Sequence, residues 1–247
     1  MKTEFMLALQ FLTKAPIAAA QTVEDRVMAR SMSFFALVGV IVGAASAAVY
    51  GLLYQVLPPA IAVTGSIIFV VFVTGNLHGD GIMDTADGIF SGKPKEKMLE
   101  IMKDSRVGSH GVMAGVLVVA AKITLLGSMD FRTVLIALIL APTLGRWAQV
   151  YGAARYTYIR SNGIGVFTDY VGWRELALNS IVAVVAGIVL LKLWGLAVLG
   201  TAVLGTILFF EFIRNKLGGI TGDTLGAANE TIEILTMLVI LFLVFNF

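Results

Sequence analysis

The sequence predicts an all-α fold, a polytopic integral membrane helix bundle of about seven transmembrane helices with amphipathic helices at the interface. Three observations carry this. Of 247 residues, 58% are hydrophobic and only 14% charged, with a mean hydropathy of +0.90, whereas soluble domains are about half apolar. The apolar residues gather into windows near the length needed to cross ~30 Å of hydrocarbon. The basic residues collect between alternate windows.

At the amino end Phe5, Leu9 and Leu12 share a helical face, while Glu4 and Gln10 interrupt the apolar stretch and Lys14-Ala-Pro16 follows it. That is a poor signal peptide. It fits either an interfacial helix or an ordinary first element of the bundle. Seven candidate spans follow at 34–57, 60–77, 111–127, 134–151, 176–191, 196–212 and 232–247. Pro58-Pro59 turns the chain between the first two, because proline cannot continue a helix. Met98, Ile101 and Met102 form an apolar stripe in 94–103, an amphipathic helix for the bilayer surface. Lys93, Lys95 and Lys97 beside it suit anionic headgroups. With the amino terminus in the cytoplasm, fifteen of the 18 basic residues fall on that side, as the positive-inside rule requires. Residues 78–110, 152–175 and 213–231 then form cytoplasmic loops that hold most of the polar residues. Residues 1–247 read as one membrane domain. The absence of cysteine excludes disulfides and thiolate sites, and no basic run points to nucleic acid.

The richest chemistry lies in His78-Gly-Asp-Gly-Ile-Met-Asp-Thr-Ala-Asp-Gly88. Asp80, Asp84 and Asp87 stand at i, i+4 and i+7, one face of a helix. Three carboxylates there repel one another unless a cation lies between them. Hard oxygen ligands at this spacing suit Mg²⁺, with Mn²⁺ as substitute, bound through a few carboxylates plus substrate phosphate oxygens. The bland alternative is a solvated acidic helix end. On a continuous helix His78 projects about 160° from Asp80, so it serves as base, as phosphate donor or as a polar residue at a span end. In Lys103-Asp-Ser-Arg106, Arg106 offers a planar fork for phosphate, and Asp104 a further ligand or a base. Gly218-Gly-Ile-Thr-Gly222-Asp223 reads as a loop entering a helix, able to cradle a phosphate or to reflect close packing. Asp223 and Glu230 share a face. Arg146 is taken to lie near a span end, as a phosphate contact. Arg155 and Arg160 flank Asn162-Gly-Ile-Gly165, a loop that suits a phosphorylated substrate or none. Lys122, inside a span, costs roughly 2.5–3.5 kcal/mol unless it snorkels or pairs with a carboxylate. Gly39-Val-Ile-Val-Gly43 permits close helix packing, within the chain or between copies in a homo-oligomer.

Four of these strings together resemble the cobalamin synthase, or adenosylcobinamide-GDP ribazoletransferase, family. They are Leu9-Gln-Phe-Leu-Thr-Lys-Ala-Pro16, the aspartate segment 78–88, Met98-Leu-Glu-Ile-Met-Lys-Asp-Ser-Arg-Val-Gly108 and Gly218-Gly-Ile-Thr-Gly-Asp-Thr-Leu-Gly-Ala-Ala228. Gly79 departs from the bulkier apolar residue expected there. The resemblance implies a Mg²⁺-dependent phosphotransferase of a bacterial or archaeal inner membrane, its active site facing the cytoplasm. A ribose hydroxyl of α-ribazole, or of its 5′-phosphate, would attack the cobinamide-linked phosphorus of adenosylcobinamide-GDP and release GMP, in the last steps of cobalamin biosynthesis. Asp80, Asp84 and Asp87 would hold metal, and Lys103, Arg106 and Arg146 would meet phosphate. His78 or a carboxylate such as Asp104 would take the proton. Asp223 and Gly222 would bind nucleotide or a second metal.

Two other classes use clustered acids. A membrane prenyltransferase pairs two aspartate-rich motifs, but Asp223 and Glu230 do not form a second tight trio. A cation-coupled transporter places acids at mid-span, whereas these gather at span ends on one side.

Overall fold

The structure, a computed structural model, describes residues 1–15, 23–160 and 165–246. Its elements are α1 (Lys2–Leu12), α2 (Asp25–Ser31), α3 (Phe35–Tyr54), α4 (Pro59–Thr74), α5 (Leu77–Phe90), α6 (Lys95–Ile101), α7 (Ser109–Gly127), α8 (Phe131–Arg155), α9 (Trp173–Leu191), α10 (Trp194–Leu217) and α11 (Gly222–Asn246). Among the described residues, six helices are long and apolar enough to cross a membrane, seven if the bent pair α4–α5 counts as one span. The chain is a multi-pass membrane bundle, and the windows read from the sequence fall on these helices. The Asn162-Gly-Ile segment, read as a loop for a phosphorylated substrate or as an ordinary loop, lies outside the described residues.

α8 is the central post, buried along most of its length. Asp130 caps its start, its carboxylate accepting from the Arg132 and Thr133 amides at 2.9 and 3.1 Å. α3 lies against α8 through the small-residue motif. A Cβ on Gly39 would sit 2.6 Å from the Pro142 carbonyl oxygen, and one on Gly43 2.5 Å from that of Leu138. Pro142 has no N–H to give Leu138, and Gly43 brings the α3 backbone over that freed carbonyl. The motif is therefore spent inside the chain. α1 packs on the bundle, with Leu7, Ala8 and Leu12 buried.

Two corrections concern loops. Residues 213–231, expected as a loop, shrink to a turn, because α10 runs to Leu217 and α11 starts at Gly222. Thr221 and Thr224 cap α11 reciprocally: each backbone N–H donates to the other's hydroxyl, at 2.8 and 3.2 Å. Residues 78–110 contain α5, which turns 88° from α4. Gly75 and Asn76 make this turn, with φ of 62° and 58°. Two consecutive left-handed residues end a helix sharply, and glycine and asparagine tolerate that conformation best. α5 therefore runs nearly at a right angle to α4, and the two count as a membrane span only when taken together.

Candidate active site

α5 rests on the first turns of α11 at a glycine crossing. A Cβ on Gly81 would lie 2.8 Å from the Asp223 carbonyl oxygen, and one on Gly226 would lie 3.3 Å from the Gly81 Cα. No larger residue fits without separating the helices. The crossing brings Asp80 and Asp84 of α5 beside Asp223 of α11, 139 positions beyond Asp84 in the chain. Asp84 is half-buried there and faces the charges of Asp80, Asp223 and Asp87. Carboxylates this crowded call for positive charge. Arg160 supplies one: its Nη2 stands 2.7 Å from Asp223 Oδ2. It is held there because the Ile159 amide donates to the Ile220 carbonyl at 3.0 Å and the Ile220 amide to that of Thr157 at 2.9 Å. Lys14, anchored by its backbone N–H on the Val73 carbonyl, lines a recess of about 420 Å³ that it shares with Asp80.

Asp87, expected as a third metal ligand, points elsewhere. Its two oxygens accept the Gly108 and Gly111 amides, at 2.7 and 2.8 Å. A Cβ on either glycine would lie 2.4 Å or less from that carboxylate. Asp87 thus ties α5 to the start of α7, and its favourable placement at a helix amino end explains its burial. Lys103, Asp104 and Arg106 are exposed. Arg106 donates to Asp104 through Nε at 3.1 Å and Nη2 at 2.8 Å, and these bonds hold the Asp104 carboxyl down to about 2. A carboxylate that acidic is a weak base. None of the three lines the cavities described here.

A cavity of about 620 Å³ opens beneath the acidic crossing. Asp80, Gly81, Gly222, Asp223 and Gly226 form one wall, and α1, α2 and the turn Val166–Tyr170 supply apolar and aromatic side chains to another. His78 separates it from a second cavity, of about 720 Å³, between α4, α5, α7, α8 and α11. His78 is buried, and its Nε2 has no hydrogen-bond partner. α5 is continuous through Gly79 and Gly81, so no break redirects the imidazole. It reaches the first cavity as the helix's buried side.

Arg146 is corrected. It lies mid-helix on α8, fully buried, because α8 extends four residues past the expected end of that span. Its Nη1 donates to Glu233 at 2.5 Å. Lys122 donates to Glu230 and Glu233 at 2.7 and 2.6 Å, the carboxylate pairing expected of a lysine at that depth. Two cations and two carboxylates form this network, and Arg146, whose Nε has no hydrogen-bond partner, also lines the second cavity. The sequence reading passed over Lys14 and Gln149 as site residues, although Gln149 had one signal: an amide inside an otherwise apolar window.

Among the described residues no group of three or more His, Asp or Glu side chains is placed to hold a metal ion. Mg²⁺ needs less, since it is held through one or two carboxylates, with substrate phosphates and water completing its shell. Asp80 and Asp84, with Asp223 beside them, fit that requirement.

Comparison with known proteins agrees with the strings read above. The chain is 40% identical over 242 residues to the adenosylcobinamide-GDP ribazoletransferase of Desulforamulus reducens, covering 98% of this chain and 97% of the relative. It is 35% identical to that of Thermoanaerobacter pseudethanolicus, over 94% of each, and 33% identical to that of Shigella flexneri, over 96% and 98%. No solved structure matches. The profile of the cobalamin-5-phosphate synthase family spans residues 4–241, and the chain belongs to that family.

Proposed function

We propose that this protein transfers the adenosylcobinamide-phosphate group of adenosylcobinamide-GDP to α-ribazole or its 5′-phosphate, releasing GMP on the cytoplasmic face of the membrane. The observation that carries this reading is the Gly81–Gly226 crossing, which sets Asp80 and Asp223 over a nucleoside-sized cavity, with Asp84 beside them and Arg160 and Lys14 at hand. Relatives across nearly the full chain are named for the same transfer.

Phosphoryl transfer asks mainly for positioning and charge neutralisation. The sugar hydroxyl oxygen forms a bond to the cobinamide-linked phosphorus, the bond from that phosphorus to the bridging oxygen breaks, and GMP leaves with the electron pair. Asp80 and Asp84, with Asp223, would hold a Mg²⁺ ion that neutralises the pyrophosphate and the departing phosphate. Arg160 and Lys14 face phosphate oxygens at the rim. The proton of the attacking hydroxyl passes to His78, whose Nε2 is unpartnered at the cavity wall, or to Asp223. The acidic Asp104 is set aside as base. The basic residues on the α5–α6 side support the cytoplasmic orientation.

Purified protein in lipid nanodiscs, given Mg²⁺, adenosylcobinamide-GDP and α-ribazole, is expected to yield GMP and adenosylcobalamin in equal amounts. Absence of both products under these conditions overturns the assignment.

A further inference from the structure

We propose that the cavity beneath the acidic crossing binds the aromatic base of the ribazole substrate, with Gln149 as its specificity-determining contact. This rests on the ribazoletransferase reading above. Two substrates must meet at Asp80 and Asp223, and a corrinoid carrying a nucleotide is too large for about 620 Å³. A riboside fits. Its reacting sugar hydroxyl belongs at the acidic wall, which sends the base toward the apolar one.

That wall matches a flat ring. Phe11 stacks on Phe35, with centroids 5.8 Å apart at 21°, and meets Phe167 edge-on at 5.7 Å and 90°; all three line the cavity. Aromatic panels of this kind bind planar groups through offset and edge contacts. Gln149 also lines it, 5% exposed, its Oε1 lacking any hydrogen-bond partner. A buried amide left unpaired costs free energy, and a ligand that pairs with it recovers that cost. Which end of the amide faces the cavity is interchangeable by a flip, so it can donate to a ring nitrogen. The benzimidazole of ribazole is flat, mostly apolar and has one free ring nitrogen. Guanine presents a row of donors and acceptors, which a wall of phenylalanine and methionine with isolated amides leaves unsatisfied.

The test compares α-ribazole with the α-riboside whose free ring nitrogen is replaced by CH. The unmodified protein is expected to prefer ribazole at least tenfold in kcat/KM, as sites built to hydrogen-bond a substrate group do. Gln149→Leu is expected to raise the KM for ribazole about tenfold and to abolish that preference, with the KM for adenosylcobinamide-GDP changed less than twofold. Phe167→Leu is expected to raise the ribazole KM while keeping the preference. Equal use of both ribosides by the unmodified protein overturns the proposal, whatever the variants do. So does a rise confined to the adenosylcobinamide-GDP KM, which would give the cavity to the other substrate. If the unmodified protein makes no GMP with either riboside, the function itself has failed rather than the subsite.

Discussion

Asp84 and Asp87 are both aspartates of one helix three positions apart, yet their surroundings assign them different work. Asp84 is half-buried among other acids. Crowded acids hold protons when no cation joins them, so Mg²⁺ bound as proposed would displace protons. Apparent Mg²⁺ affinity should therefore fall as pH drops from 8 to 6, with proton uptake by buffer seen in titration calorimetry. Affinity that is flat over this range would remove Asp84 from the metal site. Asp84→Asn should cut turnover by on the order of 10²–10³ or more, with normal membrane insertion. Asp87→Asn should do the opposite: it weakens two buried bonds to the α7 amides and costs about 1–3 kcal/mol of stability. Its Mg²⁺ affinity should stay near normal, measured beside the thermal midpoint in detergent. Helical spacing put all three aspartates on one side. Spacing alone does not distinguish a ligand from a cap, because the capped partner comes from another helix.

At the level of elements, glycines decide which helices approach. Gly81→Ala would press a Cβ to 2.8 Å from the Asp223 backbone oxygen, shifting α5 and its aspartates from α11. Misplacement near 1 Å costs about 10² in rate, so kcat should fall by that order while the protein remains folded, as assayed by size exclusion and GMP release. A matched pair tests the α3–α8 contact. Gly43→Leu meets the Leu138 carbonyl and should lower folded yield, whereas Gly51→Leu on the same helix has nothing within 4 Å and should be tolerated. The small-residue motif marked Gly43 in the sequence, and Gly51 lies outside it. The distance to a neighbouring backbone shows which helix that motif meets.

Across the whole molecule, the buried network of Lys122, Arg146, Glu230 and Glu233 joins α7, α8 and α11 beneath the site. Removing one partner strands a buried charge, so Lys122→Met should cost about 3–5 kcal/mol, read as earlier unfolding in a denaturing detergent series. Lys122→Arg should recover much of it. The network also holds α11, and hence Asp223, against the bundle. The sequence by itself determined the class of protein, the positions of its membrane windows, the acidic helix and the family. All of these follow from local apolar runs, helical spacing and strings of adjacent residues. The tertiary structure decided that Asp223 stands beside Asp80 and Asp84, that Asp87 accepts the Gly108 and Gly111 amides, that Arg146 pairs with Glu233, and that Phe11, Gln149 and Phe167 share a cavity. The physical reason is that these helices are apolar nearly all round, and lipid is as apolar as a neighbouring helix. Hydrophobic pattern therefore marks where a helix runs but not which helix it meets, and the site is made where they meet.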